Sequence, residues 1–271
     1  MISQTPGGRL SPAEITGVVA LALSAVLFVA CPLWAAIPLG VFVILCCIAP
    51  FLPRWGFFLP IISRGSRSSG WVALSFDDGP SPTTTPLLLD LLERYSLQAT
   101  FFVNGVKAER HPQLIDEIVR RGHTIGNHSW DHDYFLMLRS IKDLHRDIRK
   151  TQNILKKHTA SPRYFRPPVG ITGPRLAPVL AAEGMITITY SRRALDRGNR
   201  NTANLAAKIL GRLQPGDIIM LHDLPVYHPE QEQSWRKELH ALFAALAEKN
   251  SVVPLEQLIS AIPVDAGKDY R

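Results

Sequence analysis

The apolar residues of this chain form an uninterrupted run near the N-terminus and a periodic pattern in the remainder. From Ile15 to Leu52 the sequence contains no charged residue. A single helical span of a membrane needs roughly 20 residues, so this run is nearly long enough for two. Pro32 and Pro38 lie mid-run, where a helical hairpin would turn. We therefore expect two membrane helices within residues 13–54; one long kinked anchor and a buried soluble hairpin are the alternatives.

The flanks of this run predict how the helices are oriented. Residues 1–12 are polar and rich in Gly, Ser and Pro, which predicts a disordered N-terminus. Arg9 precedes the run and Arg54 follows it, whereas the predicted turn is uncharged, so the positive-inside rule favours both ends on the cytoplasmic side. The aromatic residues that follow predict an interfacial linker lying on the membrane over residues 55–69. We expect a multi-pass protein of a bacterial-type cytoplasmic membrane, with its soluble domain favoured in the cytoplasm.

Beyond residue 70, short apolar runs alternate with amphipathic segments. Predicted strands are Trp71–Leu74, Ala99–Val103, His123–Ile125, Tyr164–Phe165, Ile186–Thr189, Ile218–Leu221 and Ser251–Val253. Helical spacing predicts helices over Thr84–Tyr95, Pro112–Arg121, Leu138–His158, Pro174–Glu183, Thr202–Leu213, Ser234–Lys249 and Leu255–Ala261. This alternation indicates a parallel, barrel-like α/β domain over residues 70–265, followed by a tail at 266–271.

Composition changes this picture little. The formal net charge is +7, which favours an anionic partner or a membrane surface without choosing between them. All three cysteines, Cys31, Cys46 and Cys47, lie in the apolar N-terminal run. The soluble domain therefore has no disulfide framework. We expect no nucleic-acid partner, and the oligomeric state stays open.

Candidate chemistry begins at the end of the first predicted strand of the domain, where Asp77 and Asp78 precede a Gly-Pro turn. Loops at the carboxyl ends of parallel strands assemble active sites in α/β folds. Neighbouring side chains on a strand point to opposite faces, so one acid is suited to a metal and the other to a proton. A solvated turn with two capping acids is the bland alternative.

A pair of histidines four residues apart, His128 and His132, follows a later strand. On a helical turn this spacing brings two imidazoles to one side, where they suit a divalent metal. With Asp78 they would form a two-histidine, one-carboxylate set with open positions for water and substrate, leaving Asp77 as base. The alternative is that they are surface histidines, since the chain has nine.

Two further strand ends complete the candidate site. Arg166 opens a proline-stiffened loop, where it can orient an acid such as Asp77, and the backbone N–H of Val169 is a candidate oxyanion donor. His222 ends a buried strand and suits the role of proton donor to a leaving amine, with Asp196 as the acid that keeps its imidazole protonated. A Pro-rich loop with an arginine is common, and a lone strand-end histidine is usually structural.

Together these segments resemble the polysaccharide deacetylase family, also called the NodB-homology domain or carbohydrate esterase family 4. The resemblance covers roughly residues 70–265. It implies a distorted (β/α) barrel of NodB type with fewer than eight strands, and a divalent-metal N-deacetylase, usually with zinc; cobalt, manganese or nickel are the alternatives. It also implies roles for single residues: Asp77 is the base, Asp78, His128 and His132 bind the metal, Arg166 positions the base, His222 is the general acid and Asp196 tunes it.

A basic segment lies beside Asp196, and it suggests a substrate. Arg192 and Arg193 belong to it, and guanidinium groups suit a phosphate. Joined to the predicted membrane hairpin, this favours a lipid-linked amino sugar, with a solvated basic loop as the alternative. We therefore expect a hydrolase that removes an N-acyl group, most simply acetyl, from a lipid-linked or cell-envelope amino-sugar glycan. The alternatives are a deformylase of a polyprenyl-phosphate amino sugar, a deacetylase of peptidoglycan or chitin-like polymer, and an inactive sugar-binding module.

Overall fold

The computed structural model describes residues 10–160, 162–249 and 251–261. The helices are α1 Pro12–Ala30, α2 Ile37–Ile48, α3 Thr85–Arg94, α4 Gly105–Arg110, α5 Pro112–Arg120, α6 Ile141–Leu155, α7 Leu176–Ala182, α8 Leu205–Leu210, α9 Glu232–Glu248 and α10 Leu255–Ser260. The strands are β1 Ile61–Ile62, β2 Ala73–Gly79, β3 Ala99–Val103, β4 Thr124–Asn127, β5 Tyr164–Phe165, β6 Ile186–Ile188, β7 Arg192–Arg193 and β8 Ile218–His222.

The strands form one parallel sheet in the order β1-β6-β5-β4-β3-β2-β8-β7. The sheet curls until a backbone bridge joins Arg64, after β1, to Asp217, before β8. The predicted distorted (β/α) barrel is therefore confirmed. The sheet has eight strands where the resemblance implied fewer, because the two-residue edge strands β1 and β7 extend it.

The alternation of side chains along β2 separates the two layers of the core. Leu74 and Phe76 face the outer layer, where they pack with apolar side chains of α3, α5 and α9. Ala73 faces the barrel interior with Phe102 and Met220. Successive strand residues point to opposite sides, so Asp77 shares the interior face with Ala73. The side of β2 that faces the barrel interior therefore ends at Asp77, the first candidate acid.

The apolar N-terminal run forms a helical hairpin, as the two-helix prediction required. The segments Pro12–Ala30 and Pro32–Phe51 have mean hydropathies of 2.2 and 2.3, and only 17% and 6% of their hydrophobic windows are buried. Helix α1 begins with a capping box between Ser11 and Glu14. Both segments are long and apolar enough to cross a membrane, and they are too exposed for the buried core of a soluble protein. The predicted disordered N-terminus and C-terminal tail fall mostly or wholly outside the described residues.

The segment after the hairpin differs from the prediction of a linker lying on the membrane. Phe57, Phe58 and Leu59 are buried in a cluster with Phe165 and residues of α7. Ile61 and Ile62 then pair with β6 as the first strand of the sheet. The prediction was wrong for these residues because their apolar side chains are buried against segments that lie far away in the sequence. Sequence alone does not reveal such a contact.

Several element bounds also differ from the predictions. Helix α9 starts at Glu232 with no side-chain cap, so the prediction that Ser234 opens this helix was wrong. A short 3-10 turn over Pro229–Gln231 leads directly into that helix. The predicted strand at 251–253 is reduced to a single bridge between Val252 and Val72. The predicted helix from Leu138 begins at Ile141, because the Ser140 side chain caps it by accepting from the Asp143 N–H.

Candidate active site

A bulge at the end of β2 sets the direction of both adjacent acids. The pairing of β2 with β3 shifts between Asp77 and Gly79. Asp78, between them, has a left-handed φ of 72°. Bulges re-aim side chains next to active sites, and here the bulge lets two consecutive carboxylates serve one rim. Asp77 also lies beside His222 of β8, its partner in the sheet register.

Arg166 is the main partner of Asp77, and it is almost fully buried. Its Nη1 donates to Asp77 Oδ1 at 2.6 Å and to Ser75 Oγ at 2.9 Å. Its Nη2 donates to the Thr189 carbonyl at 3.0 Å, and its guanidinium lies 3.9 Å from the centre of the Phe102 ring. The arginine side chain is therefore fixed on several sides, and it holds one carboxylate oxygen of Asp77 in a defined position.

His128 and His132 lie in a loop after β4 and not on the helical turn that we predicted. Ser129 and His132 have left-handed φ values of 67° and 60°, which fold the loop back on itself. The His132 N–H donates to Ser129 Oγ at 3.1 Å, and this bond closes the turn. The histidine ring centroids are 5.0 Å apart. The four-residue spacing predicted that the two rings lie close together, and they do. A tight loop brings them together, however, and not a helical turn.

Asp78 and the two histidines converge on one point. Their ligand atoms all lie within 4.8 Å of one another. Asp78 Oδ1 lies 3.4 Å from His128 Nε2 and 3.3 Å from His132 Nε2. That oxygen is buried and has no hydrogen-bond partner among the described residues. A buried carboxylate oxygen facing two ring nitrogens at these distances fits a divalent cation.

The surroundings of the cluster prepare its groups for such an ion. His128 Nδ1 donates to the Arg166 carbonyl at 2.7 Å, which leaves Nε2 as the free acceptor that faces Asp78. Burial opposes ionisation of Asp78, but the neighbouring imidazoles hold its pKa well below the usual range. The three residues are thus a chemically suitable set for a zinc-type ion.

Opposite this cluster, His222 is joined to Asp196. His222 Nδ1 donates to Asp196 Oδ2 at 2.8 Å, and the Asp196 side chain is only 2% exposed. Burial lowers the pKa of His222, but the hydrogen bond and charge of Asp196, with the charges of Asp77 and Asp78, raise it above the ordinary value. The Asp196 carboxylate therefore favours the protonated form of the imidazole at the rim.

Comparison with known proteins identifies the family to which a chain with this arrangement belongs. The family model described as polysaccharide deacetylase matches residues 64–188. A peptidoglycan-N-acetylglucosamine deacetylase of Bacillus cereus is 34% identical over 56% of this chain and 72% of its own length. The chain belongs to the polysaccharide deacetylase family. The resemblance drawn from the motifs is confirmed, and so is the class of enzyme, a carbohydrate N-deacetylase.

Two more members of the polysaccharide deacetylase family support the assignment. A chitooligosaccharide deacetylase of Sinorhizobium fredii is 32% identical over 61% of this chain and 78% of its own length. The crystal structure of the Bc1960 peptidoglycan N-acetylglucosamine deacetylase superposes with a TM-score of 0.66 at 27% identity, covering 74% of this chain and 92% of that one. Asp196 and His222 lie outside the segment matched by the family model, so it is the structure that supports their predicted pairing.

Two supporting residues of this deacetylase site were missed in the sequence. Lys107 Nζ donates to the Asp78 carbonyl at 2.6 Å and holds the backbone of that residue. Asp223 is buried and accepts from the Thr84 and Thr85 hydroxyls at 2.6 and 2.5 Å, which ties β8 to the turn after β2. Burial raises the pKa of Asp223 to about 6 against the effect of those two hydroxyls. Asp223 follows His222 directly, whereas Lys107 gives no local signal at all.

The predicted substrate residues have mixed outcomes. Arg192 donates to Asp217 Oδ2 at 3.3 Å, and Arg64 binds the same buried carboxylate. Arg192 therefore pairs with Asp217 at the edge of the barrel, and its assignment to a phosphate stays a prediction. Arg193 is exposed and donates to the Tyr190 hydroxyl at 3.0 Å. Val169 is 47% exposed with a left-handed φ of 49°, so this backbone is held in an uncommon conformation at the rim.

Proposed function

We propose that this protein is a metal-dependent deacetylase that hydrolyses the N-acetyl group of an amino sugar in a lipid-linked or cell-envelope glycan. One observation carries the proposal: a candidate base, an acid with a raised pKa and a three-residue metal set share one rim. Asp77 and His222 are partners in the sheet register, and Asp78 adjoins both. An inactive sugar-binding module would not need the acid, the base and the metal set together.

Asp78, His128 and His132 would hold the divalent ion. When bound, such an ion acts as a Lewis acid toward the acyl oxygen and lowers the pKa of water. Zinc is the first candidate because two imidazoles and one carboxylate are its common catalytic donor set; cobalt, manganese and nickel suit the same donors.

The proton transfers fall to this chain's own side chains. Asp77, fixed by Arg166, accepts a proton from the water that attacks the acyl carbon. His222 donates a proton to the sugar nitrogen as the carbon–nitrogen bond breaks. One water is consumed, and acetate and a free amine are released. Asp77 and His222 lie on neighbouring strands, so one group can accept the proton of the water while the other supplies the proton to the leaving nitrogen.

The substrate follows from two kinds of support. The family relatives named above are deacetylases of peptidoglycan and of chitooligosaccharide, so an N-acetylglucosamine unit is the simplest fit. The apolar hairpin favours an enzyme integrated in the membrane with two spans, and the arginines that flank it favour a catalytic domain on the cytoplasmic side. A lipid-linked sugar at that face suits this arrangement, and formyl remains an alternative to acetyl as the group removed.

The test is acyl release by the purified full-length chain. Acetate and formate should be measured with a panel of lipid-linked and polymeric amino sugars, before and after removal and return of zinc. We expect acetate release that disappears with the metal and in the Asp77→Asn variant. Full activity of that variant would refute Asp77 as the base, whereas a purified chain that binds no divalent ion and releases no acyl group would overturn the proposal in favour of a binding module.

The side of the membrane needs its own measurement. A reporter fused after Arg271 should report a cytoplasmic C-terminus if the hairpin crosses twice and the domain stays inside. An outward C-terminus would exclude the cytoplasmic lipid-linked substrate and would favour an envelope polymer such as peptidoglycan.

A further inference from the structure

The exposed large apolar side chains of the catalytic domain gather on one face. Among the described residues after Leu52, they are Tyr134, Phe135, Leu138, Ile141, Val169, Leu195 and Tyr227. Each lies in a segment that follows the carboxyl end of a strand: β4, β5, β7 or β8. Apart from Ile141, the first residue of α6, the helices of the domain expose no comparable side chain among the described residues. The apolar face is therefore the rim that carries the active site.

The base of the hairpin contacts this same rim. The Thr172 N–H donates to the Pro50 carbonyl at 3.3 Å, just after the Arg166 loop. A Cβ added to Gly170 would lie 2.9 Å from Cβ of Pro53, so the chain leaving α2 packs directly on that loop. The hairpin turn at the other end is free, with Leu33 96% exposed. The hairpin thus leads away from the domain at the active-site face.

One loop joins the two features, and we call Tyr134–Ile141 the rim loop. Its middle residues, Leu136 and Met137, are buried in one cluster with Ala13 and Ala49, which lie at the domain end of α1 and α2. Its other apolar side chains point outward: Phe135 and Leu138 are 68% and 76% exposed. The exposed part of the loop therefore continues the apolar surface of the hairpin at the level where the hairpin meets the domain.

We propose that the rim loop inserts its exposed apolar side chains into the headgroup region of the bilayer that holds the hairpin. The occupant of this surface is a lipid surface because it continues the apolar surface of two helices suited to a membrane. This inference rests on the membrane-anchored enzyme proposed above. It adds that the catalytic rim faces the membrane surface.

The polar groups of this loop fit an interfacial position. Arg175 Nη1 donates to the carbonyls of Leu138 and Arg139 at 3.2 and 2.8 Å, which holds the loop in its outward conformation. Arg139, which pairs with Asp133 at 2.5 Å, is 51% exposed, and Arg54 at the end of the hairpin and Lys142 after the rim loop are also exposed. We call the exposed side chains of Phe135 and Leu138 the apolar wedge. Basic side chains that flank such a wedge are attracted to anionic lipid headgroups.

This position decides how a substrate reaches the site. Tyr134 lies between the wedge and the metal set, with its ring centroid 5.2 Å from that of His132. A sugar carried at the lipid surface would thus meet the catalytic groups within the interfacial layer. The rim loop therefore selects amino sugars displayed on a lipid carrier over soluble oligomers.

The direct test measures depth in the membrane. In full-length protein carrying Cys31→Ala, Cys46→Ala and Cys47→Ala, a fluorophore is attached to Leu138→Cys or to Arg212→Cys, an exposed position in the loop before β8. The protein is reconstituted in phosphatidylcholine and phosphatidylglycerol vesicles with brominated acyl chains. We expect lipid quenching at 138 and iodide quenching at 212. Equal iodide access at both positions would overturn the proposal.

A second test uses activity and a matched pair of variants. Phe135→Ser with Leu138→Ser removes the apolar wedge, whereas Phe135→Leu with Leu138→Phe keeps it. We expect the serine pair to lower the rate on polyprenyl-linked N-acetylglucosamine in vesicles by about tenfold relative to the wild type. The apolar pair should keep the wild-type rate on that substrate. The rate on a soluble N-acetylated chito-oligomer should be unchanged in both. An equal loss on both substrates would show that the loop binds glycan and would overturn the membrane assignment.

The outcomes separate this inference from the function on which it rests. The quenching measurement requires no catalysis, so it reports the rim loop even if the substrate proposal fails. If the wild-type chain is extracted from membranes by alkaline carbonate, both the anchor and the rim proposal are wrong. If the chain stays integrated while position 138 is open to iodide, only the rim proposal is wrong.

Discussion

Replacing Arg166 by methionine keeps the length of the side chain but removes every donor from the centre of the site. The guanidinium is 1% exposed and donates to Asp77, Ser75 and the carbonyls of Ile188 and Thr189. Breaking a buried ion pair by removing one partner costs about 3–5 kcal/mol of folding free energy, because the other charge is left buried. For a domain of this size, that loss lowers the unfolding temperature by about 10 °C.

The assay is thermal unfolding of the full-length protein in detergent micelles, followed by tryptophan fluorescence. Arg166→Lys keeps the charge and at most part of the hydrogen bonds, so we expect a loss of about 1–3 kcal/mol. A matched control is Arg236→Met, which breaks an exposed pair with Glu232 and should cost about 0.5 kcal/mol or less. Activity of both Arg166 variants should fall by about 100-fold, since Asp77 is no longer held.

A double variant separates the pair from its surroundings. With Asp77→Asn the negative charge is absent, so Arg166→Met should cost less in that background than in the wild type. We expect the two effects to differ from additivity by about 1–3 kcal/mol. Strict additivity, or an Arg166→Met protein that unfolds at the wild-type temperature, would refute the reasoning that this ion pair organises the base.

Three further predictions concern the acid and the metal set. Asp196→Asn removes the carboxylate that raises the pKa of His222, so the alkaline limb of the kcat/KM profile should move to lower pH; an unmoved limb contradicts the acid role. Lys107→Met releases the Asp78 carbonyl and should weaken zinc binding by about tenfold in a chelator competition, with Lys107→Arg recovering most of it. His132→Ala should reduce zinc affinity further and abolish acetate release without lowering the unfolding temperature of the metal-free protein, because its side chain is partly exposed.

Much of the candidate site could be predicted because each of its groups lies at the end of a strand that local pattern reveals. Apolar runs precede Asp77, His128, Arg166 and His222, and the carboxyl ends of parallel strands meet at one rim. The sequence motifs therefore indicated which side chains would meet, even though the spacing of the histidines suggested a helix where the chain forms a loop. The hairpin was equally local, since length and hydropathy define it.

The remaining features depend on residues far apart in the chain, and only the tertiary structure decided them. Asp217 pairs with Arg192 and Arg64, which joins the two edges of the barrel. Phe57, Phe58 and Leu59 are buried against α7 and the sheet, and Ile61 and Ile62 pair with β6. The contact of Pro53 with Gly170 sets the hairpin beside the catalytic rim. The sequence by itself determined the apolar hairpin, the strand–helix alternation and the chemistry of the strand ends, because these arise from neighbouring residues. The partners of Asp217 and the direction of the rim come from long-range packing, which no local pattern encodes.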